Sequence, residues 1–186
     1  YDNIEYYSAP YIPKNDYFFN LYLNMLIDKV ENGWIIFIDD DDMLSCSKSL
    51  NILSTYFDNI NNLIYWKFLR PDKVIQPKDI ISPQFSEISG CALCYHSNNK
   101  HLAKWDNQRG GDYRLYTQLK SHLTLKFIPK ILTQTSYTNT ICHFGVNITN
   151  FNVCYKLLYF SMTGKIINNK LISKYSIIYT LNDFIK

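Results

Sequence analysis

Four consecutive carboxylates, Asp39 to Asp42, follow directly on five apolar residues, Trp34 to Ile38. Neighbouring carboxylates in water repel by roughly 1 kcal/mol at about 4 Å, and more in a partly dry cleft. A divalent cation is the simplest group that offsets this repulsion. In an extended exit from a strand, Asp39 and Asp41 point to one side about 6.6 Å apart. Such a pair lets one carboxylate hold a metal while the other meets a hydroxyl or shares the ion. Oxygen ligands suit the hard cations Mn²⁺ and Mg²⁺. A calcium loop of the EF-hand type fails, because Leu44 and Leu50 stand where its glycine and glutamate belong. The competing reading is a solvated acidic turn that caps the next helix.

A second group of chemically capable residues lies in Trp105-Asp-Asn-Gln-Arg-Gly-Gly-Asp-Tyr-Arg-Leu115. Asp112 follows two glycines at the start of a predicted helix, where it is reachable from a cleft. Aspartate also fills the N-cap position well, so capping is the alternative role. Further along, Ile141-Cys-His-Phe-Gly145 puts His143 after the last predicted strand of the core, where it reads as a hydrogen-bonded loop histidine. Cys91-Ala-Leu-Cys94 has redox or zinc spacing, but no second Cys or His pair accompanies it, and on a strand its sulfurs point to opposite faces. Both read as small buried hydrophobes. No Gly-x-Gly-x-x-Gly, P-loop or Gly-x-Ser-x-Gly motif occurs.

The elements that must position these residues read as an alternation of strands and helices. Ile4–Tyr7 reads as a short strand. Residues 16–31 read as a helix whose stripe includes Leu21, Tyr22, Met25, Leu26 and Val30, stopped by Gly33. The apolar run 34–38 reads as a strand covered on both faces, as in parallel sheets, with its acids at the carboxyl edge where open α/β folds put ligands. A helix over 47–57 and a strand over 63–69 follow. A long loop carries Pro71, Pro77 and Pro83, a length often associated with function. Strand 87–96 is interrupted by Gly90, which marks a close approach. A short helix over 98–105, a helix over 112–122, and strands 125–128 and 131–137 split by Pro129 complete the core. From Phe151 on, two helical patterns predict a tail that packs on the core or a partner. The expected organisation is thus an α/β core over 1–145 with a mostly parallel sheet, and a helical segment over 146–186.

A chain of 186 residues, 47% hydrophobic and 16% aromatic, is long enough for one domain with a substantial core. The net charge of +3 is small and its lysines are scattered, so a nucleic-acid partner is not expected. Five cysteines without a paired framework favour a reducing, cytoplasmic compartment. No run of about 18 apolar residues predicts a transmembrane helix. The first residue is not methionine, and the sequence reads as part of a longer product.

Phe37-Ile-Asp-Asp-Asp-Asp-Met-Leu44 resembles the Asp-x-Asp region of family-two glycosyltransferases with the GT-A fold. Asp39 matches the first acid, Asp41 the second and Asp42 the adjacent third. The resemblance implies that Asp39 and Asp41 contact the donor ribose and the metal bridging its diphosphate, with His143 as an additional ligand. It implies a catalytic base at Asp112, although Gly111 departs from the polar residue the family usually carries there. Trp105 and Asp106 would line the acceptor site, as an aromatic face and a carboxylate for sugar hydroxyls, unless Trp105 is ordinary core. Arg109 would approach phosphate, with Arg114 on a solvated helix face.

The resemblance covers about residues 1–145. In that family, a strand, a helix and a second strand precede this region and hold the nucleotide, and the present sequence does not include them. The expected function is metal-dependent, inverting transfer of a sugar from a nucleotide-sugar donor, such as a uridine diphosphate sugar, to an acceptor hydroxyl on a glycan, protein or small molecule. The alternative is a non-catalytic glycan- or partner-binding module derived from a truncated transferase domain. A phosphoryl or nucleotidyl transferase ranks last, for want of a phosphate-cradling loop.

Overall fold

A computed structural model of the chain describes residues 4–7, 19–39, 42–135, 154–161, 166–167, 170–171 and 174–181. In chain order the elements are β1 (Ile4–Tyr7), α1 (Phe19–Lys29), β2 (Trp34–Ile38), β3 (Met43–Leu44), α2 (Ser49–Ser54), β4 (Asn62–Leu69), β5 (Ile75–Gln76), β6 (Leu93–His96), α3 (Gly111–Lys120) and β7 (Thr124–Gln134). They are followed by β8 (Cys154–Ser161), β9 (Ile166–Ile167), β10 (Lys170–Leu171) and β11 (Lys174–Leu181). Short 3-10 turns at Gly90–Ala92 and Ser97–Asn99 flank β6.

The content is mixed α/β, and one mixed sheet dominates, in the order β1-β11-β8-β2-β6-β4-β7-β3 with β5 paired to β4. Pairing is parallel for β1 with β11 and for β4 with β7, and antiparallel elsewhere. This corrects the expectation of a mostly parallel sheet. An unbroken apolar run reports that a strand is covered on both faces, and it does not report the direction of its neighbours. β2 lies between β8 and β6, antiparallel to both.

The C-terminal expectation is also corrected. The described residues beyond Phe151 form strands, and β8 and β11 extend the same sheet instead of forming helices. Cys154-Tyr-Lys-Leu-Leu-Tyr-Phe-Ser161 and Lys174-Tyr-Ser-Ile-Ile-Tyr-Thr-Leu181 are dense in aromatic and β-branched residues, which favour a pleated surface over a helix.

The part of the sheet that positions the site is β2-β6-β4-β7. Because β6 is antiparallel to both β2 and β4, and β4 is parallel to β7, the strands β2, β4 and β7 all run one way and end at one edge. Asp39 follows β2 at that edge, as expected for the acid run. Two cores cover the sheet. Ile35 and Phe37 of β2, with Leu63, Tyr65, Leu93 and Tyr95, pack under α1 and α3. On the other face Trp34 and Ile36, with Ile64, Trp66, Phe68 and Cys94, pack against Leu53 of α2 and the partly buried Leu50, Tyr56 and Phe57. Trp34 stacks on Phe57 with ring centroids 4.5 Å apart. Each fully buried side chain of this kind contributes about 1.5–3 kcal/mol.

Pro129 does not divide two strands. It lies within β7, where the register against β4 steps from Trp66 opposite Ile128 to Lys67 opposite Ile131. Such a bulge absorbs a residue with no N–H to give to the ladder. The helix expected over 98–105 reduces to the 3-10 turn at Ser97–Asn99. Strand 87–96 is confined to β6, with the Gly90–Ala92 turn ahead of it.

Candidate active site

The Asp42 N–H donates to the Asp39 carbonyl at 3.1 Å, so the chain reverses and continues into β3, which pairs with the end of β7. The expected spacing of Asp39 and Asp41 falls outside the described residues. Asp39 is exposed and Asp42 is half-buried, while Asp41 lies outside the described residues. Alternation along β2 puts Asp39 in series with Ile35 and Phe37, on the face that carries α3.

α3 runs back from this edge toward the start of β7, so its N-terminus stands where β2 ends. The N-cap is Gly110, in the left-handed region at φ +75°, and no side chain caps the helix. Asp112 therefore sits in the first turn and is not the N-cap, which removes the alternative role its position suggested. Its Oδ2 accepts from the Gly90 N–H at 3.2 Å, tying α3 to the turn that leads into β6. Desolvation pushes the Asp112 carboxyl above its ordinary range, against the smaller lowering effects of the Gly90 N–H, its own N–H and Arg114. A base of raised pKa holds a proton more firmly and is a better acceptor for one.

The Gly90–Ala92 turn also senses the other acids. Cys91 is buried, and its thiol is pushed well up by burial first, then by the charges of Asp42 and Asp39, with Ser89 and Thr133 opposing. The charges of Asp39 and Asp42 thus act on the turn to which Asp112 is hydrogen-bonded. Cys91 and Cys94 are both free and buried, in keeping with their reading as small apolar residues.

Both glycines before Asp112 have steric reasons. A Cβ at Gly110 would collide with the ring of Phe85. One at Gly111 would stand 2.7 Å from Asn20 Nδ2 and 2.9 Å from Trp105 Cε3. Gly111 thus allows close packing of α3 against Trp105.

Two candidates for the acceptor wall are committed elsewhere. Trp105 is 4% exposed, edge-on to Phe37 at 5.1 Å, with its ring closed against Gly90. This corrects its assignment as an open aromatic face and favours the core alternative. Apolar contact on both sides of the ring outweighs the cost of its indole N–H, which has no partner among the described residues. Asp106 forms a two-point pair with Arg114, Nε to Oδ2 at 2.6 Å and Nη2 to Oδ1 at 2.5 Å, and its Oδ1 also accepts from the Gln108 N–H. Arg114, first among the causes, holds the Asp106 carboxyl below its ordinary range. The pair fastens the 106–110 loop to α3, and Arg114 also donates to the Gln108 carbonyl at 2.6 Å. Arg114 is therefore a clamp and not merely a solvated side chain. Arg109 is exposed at the loop's tip, and His143 lies outside the described residues.

Sequence reasoning missed Asn20 and Asn24, which hold this loop from α1. Asn24 Oδ1 accepts from the Trp105 N–H at 2.9 Å while its Nδ2 donates to the Trp105 carbonyl at 2.8 Å. Asn20 Nδ2 donates to the Asp106 carbonyl at 2.8 Å. Their i, i+4 spacing beside the apolar stripe was the available signal. Phe85 and the Gly90 N–H were also missed as parts of the site.

Among the described residues, no group of three or more His, Cys, Asp or Glu side chains is disposed to hold a metal ion. Asp39 and Asp42 supply carboxylate oxygens, a donor type that fits a hard divalent cation. No described helix is long and apolar enough to cross a membrane. Compared with known proteins, the chain matches no protein-family model and no curated sequence.

Proposed function

We propose that the chain carries a metal-dependent glycosyltransferase site of GT-A type, with Asp112 as the general base. The observation that supports it best is the hydrogen bond from the Gly90 N–H to Asp112 Oδ2, which fixes a desolvated carboxyl at the start of α3. Asp39, Asp41 and His143 are the residues that would hold Mn²⁺ or Mg²⁺. When bound, such an ion neutralises charge on a departing diphosphate. Asp39 additionally orients the donor ribose. Asp112 accepts the proton of an acceptor hydroxyl as that oxygen bonds to the anomeric carbon from the face opposite the leaving group. The bond from that carbon to the nucleoside diphosphate breaks, and configuration inverts. The raised carboxyl pKa of Asp112 suits this work, and the Gly90 N–H fixes the direction in which it points.

The test is release of uridine diphosphate from a panel of uridine diphosphate sugars with Mn²⁺ and mixed acceptors. Asp112→Asn is expected to lower transfer by about 100-fold or more, and Asp41→Ala to lower it comparably. Activity intact in both variants would overturn the assignment. A second reading is a glycan- or partner-binding module without catalysis, in keeping with the lack of a metal-holding group among the described residues. That reading predicts glycan binding by a wild-type protein that turns over no donor.

A further inference from the structure

With Trp105 buried, the most exposed aromatic side chain packed on the start of α3 is Phe85. It is 50% exposed, and its ring lies directly over Gly110 and meets Tyr113 in a T-shaped contact at 5.8 Å. Asp112 stands between these two positions in the chain. The same segment, continued to Gly90, supplies the N–H that Asp112 accepts, so residues 85–90 straddle the first turn of α3.

The segment presenting Phe85 is built. The Tyr65 hydroxyl, rising from the sheet, donates to the Ile80 carbonyl. Asp79 Oδ1 accepts from the N–H groups of Ile81 and Ser82 at 2.8 and 3.1 Å. Gln84 and Glu87 close on each other, the Gln84 N–H donating to Glu87 Oε2 at 3.0 Å and the Glu87 N–H to the Gln84 carbonyl at 2.9 Å. A loop held by this many bonds could have turned its phenyl ring inward. It instead leaves Phe85 half exposed over the turn of α3 that carries Asp112.

We infer that Phe85 is the stacking wall of an acceptor subsite, receiving the C–H face of a sugar ring whose hydroxyl points toward Asp112. The acceptor class is therefore a saccharide, and this deepening rests on the transferase reading. Sugar rings expose apolar C–H groups on one face and hydroxyls at their rim. A fixed phenyl ring beside a carboxylate matches both. Gly110 is part of the same device, because a Cβ there would collide with the Phe85 ring over the start of α3.

The test uses protein labelled with 4-fluorophenylalanine, followed by fluorine NMR as cellotetraose, chitotetraose and maltotetraose are added in turn. The Phe85 resonance is assigned by its absence in Phe85→Leu, whose fold is checked by circular dichroism. The expected result is a saturable shift of that resonance with at least one saccharide, binding weakened about tenfold in Phe85→Leu and restored in Phe85→Trp. In transfer assays, the saccharide KM rises about tenfold in Phe85→Leu with a smaller change in kcat. A Phe85 resonance that no saccharide moves, or a Phe85→Leu protein that binds as well as wild type, overturns the inference. Asp112-dependent donor cleavage with an unmoved Phe85 leaves the transferase reading standing and removes this one. Saccharide binding at Phe85 by a wild-type protein that cleaves no donor removes the transferase reading, and with it the acceptor role.

Discussion

Asp112 carries opposed demands. The first turn of a helix favours a carboxylate, and so does the Gly90 N–H, yet desolvation wins and raises its pKa above the ordinary 3.8. The sign of the stability effect follows. A folded-state pKa above the unfolded value means the folded chain binds the proton more tightly. The cost is absent below the unfolded pKa, grows as pH rises through the window between the two values, and is complete above the folded one. Asp112→Asn keeps an oxygen for the Gly90 N–H and removes the buried charge. The variant is therefore expected to be more stable than wild type at pH 7, with the gap closing toward pH 3.5. Urea denaturation at both pH values checks this, and a gap that widens on acidification contradicts it. A residue that is stabilised by neutralisation but kept ionisable fits a functional acid better than a structural one.

At the scale of elements, the first turn of α3 is placed by α1 and by the loop between them. Asn24 closes two hydrogen bonds on the Trp105 backbone, and Gly111 lets α3 approach the Trp105 ring. Asn24→Ala leaves a buried N–H and carbonyl unpartnered and is expected to cost about 2 kcal/mol. Gly111→Ala forces a methyl into contact with Asn20 and Trp105 and is expected to cost about 1–3 kcal/mol. Both are read from chemical denaturation. If the loop positions Asp112, both also reduce transfer by more than their stability loss explains when assayed well below the unfolding midpoint. The Asp106–Arg114 pair is partly exposed on both sides, so Asp106→Asn is expected to cost only about 1 kcal/mol or less.

At the scale of the molecule, the sheet brings β2, β4 and β7 to one edge and sets the β6 turn and the start of α3 beside them. A ligand that binds only this folded edge stabilises the whole chain by mass action. At a concentration about ten times its dissociation constant, the gain is about 1.4 kcal/mol, or a Tm rise of about 3–5 °C for a chain of this size. Mn²⁺ together with uridine diphosphate is expected to give such a rise in differential scanning fluorimetry, and Asp39→Ala is expected to abolish it. An equal rise in the variant would disconnect the ligand from this edge.

The sequence by itself determined the elements with strong local signals. The Trp34–Ile38 run has no polar residue, so it had to be a strand covered on both sides, and the stripe from Leu21 to Val30 had to be a helix against it. The run of acids after β2 and the Gly-Gly-Asp start of α3 were legible for the same reason, since their chemistry is written in adjacent residues. Strand direction was not legible, because antiparallel and parallel neighbours bury the same side chains. Nor was the C-terminal sheet, where a mixture of apolar and polar residues fits two periodicities and long-range pairing chooses between them. Tertiary structure alone decided that Trp105 is core and Phe85 is rim. Both are large aromatic residues in polar loops, and only the closeness of Gly90, Phe37 and Gly111 tells one ring to hide while the other stays in water.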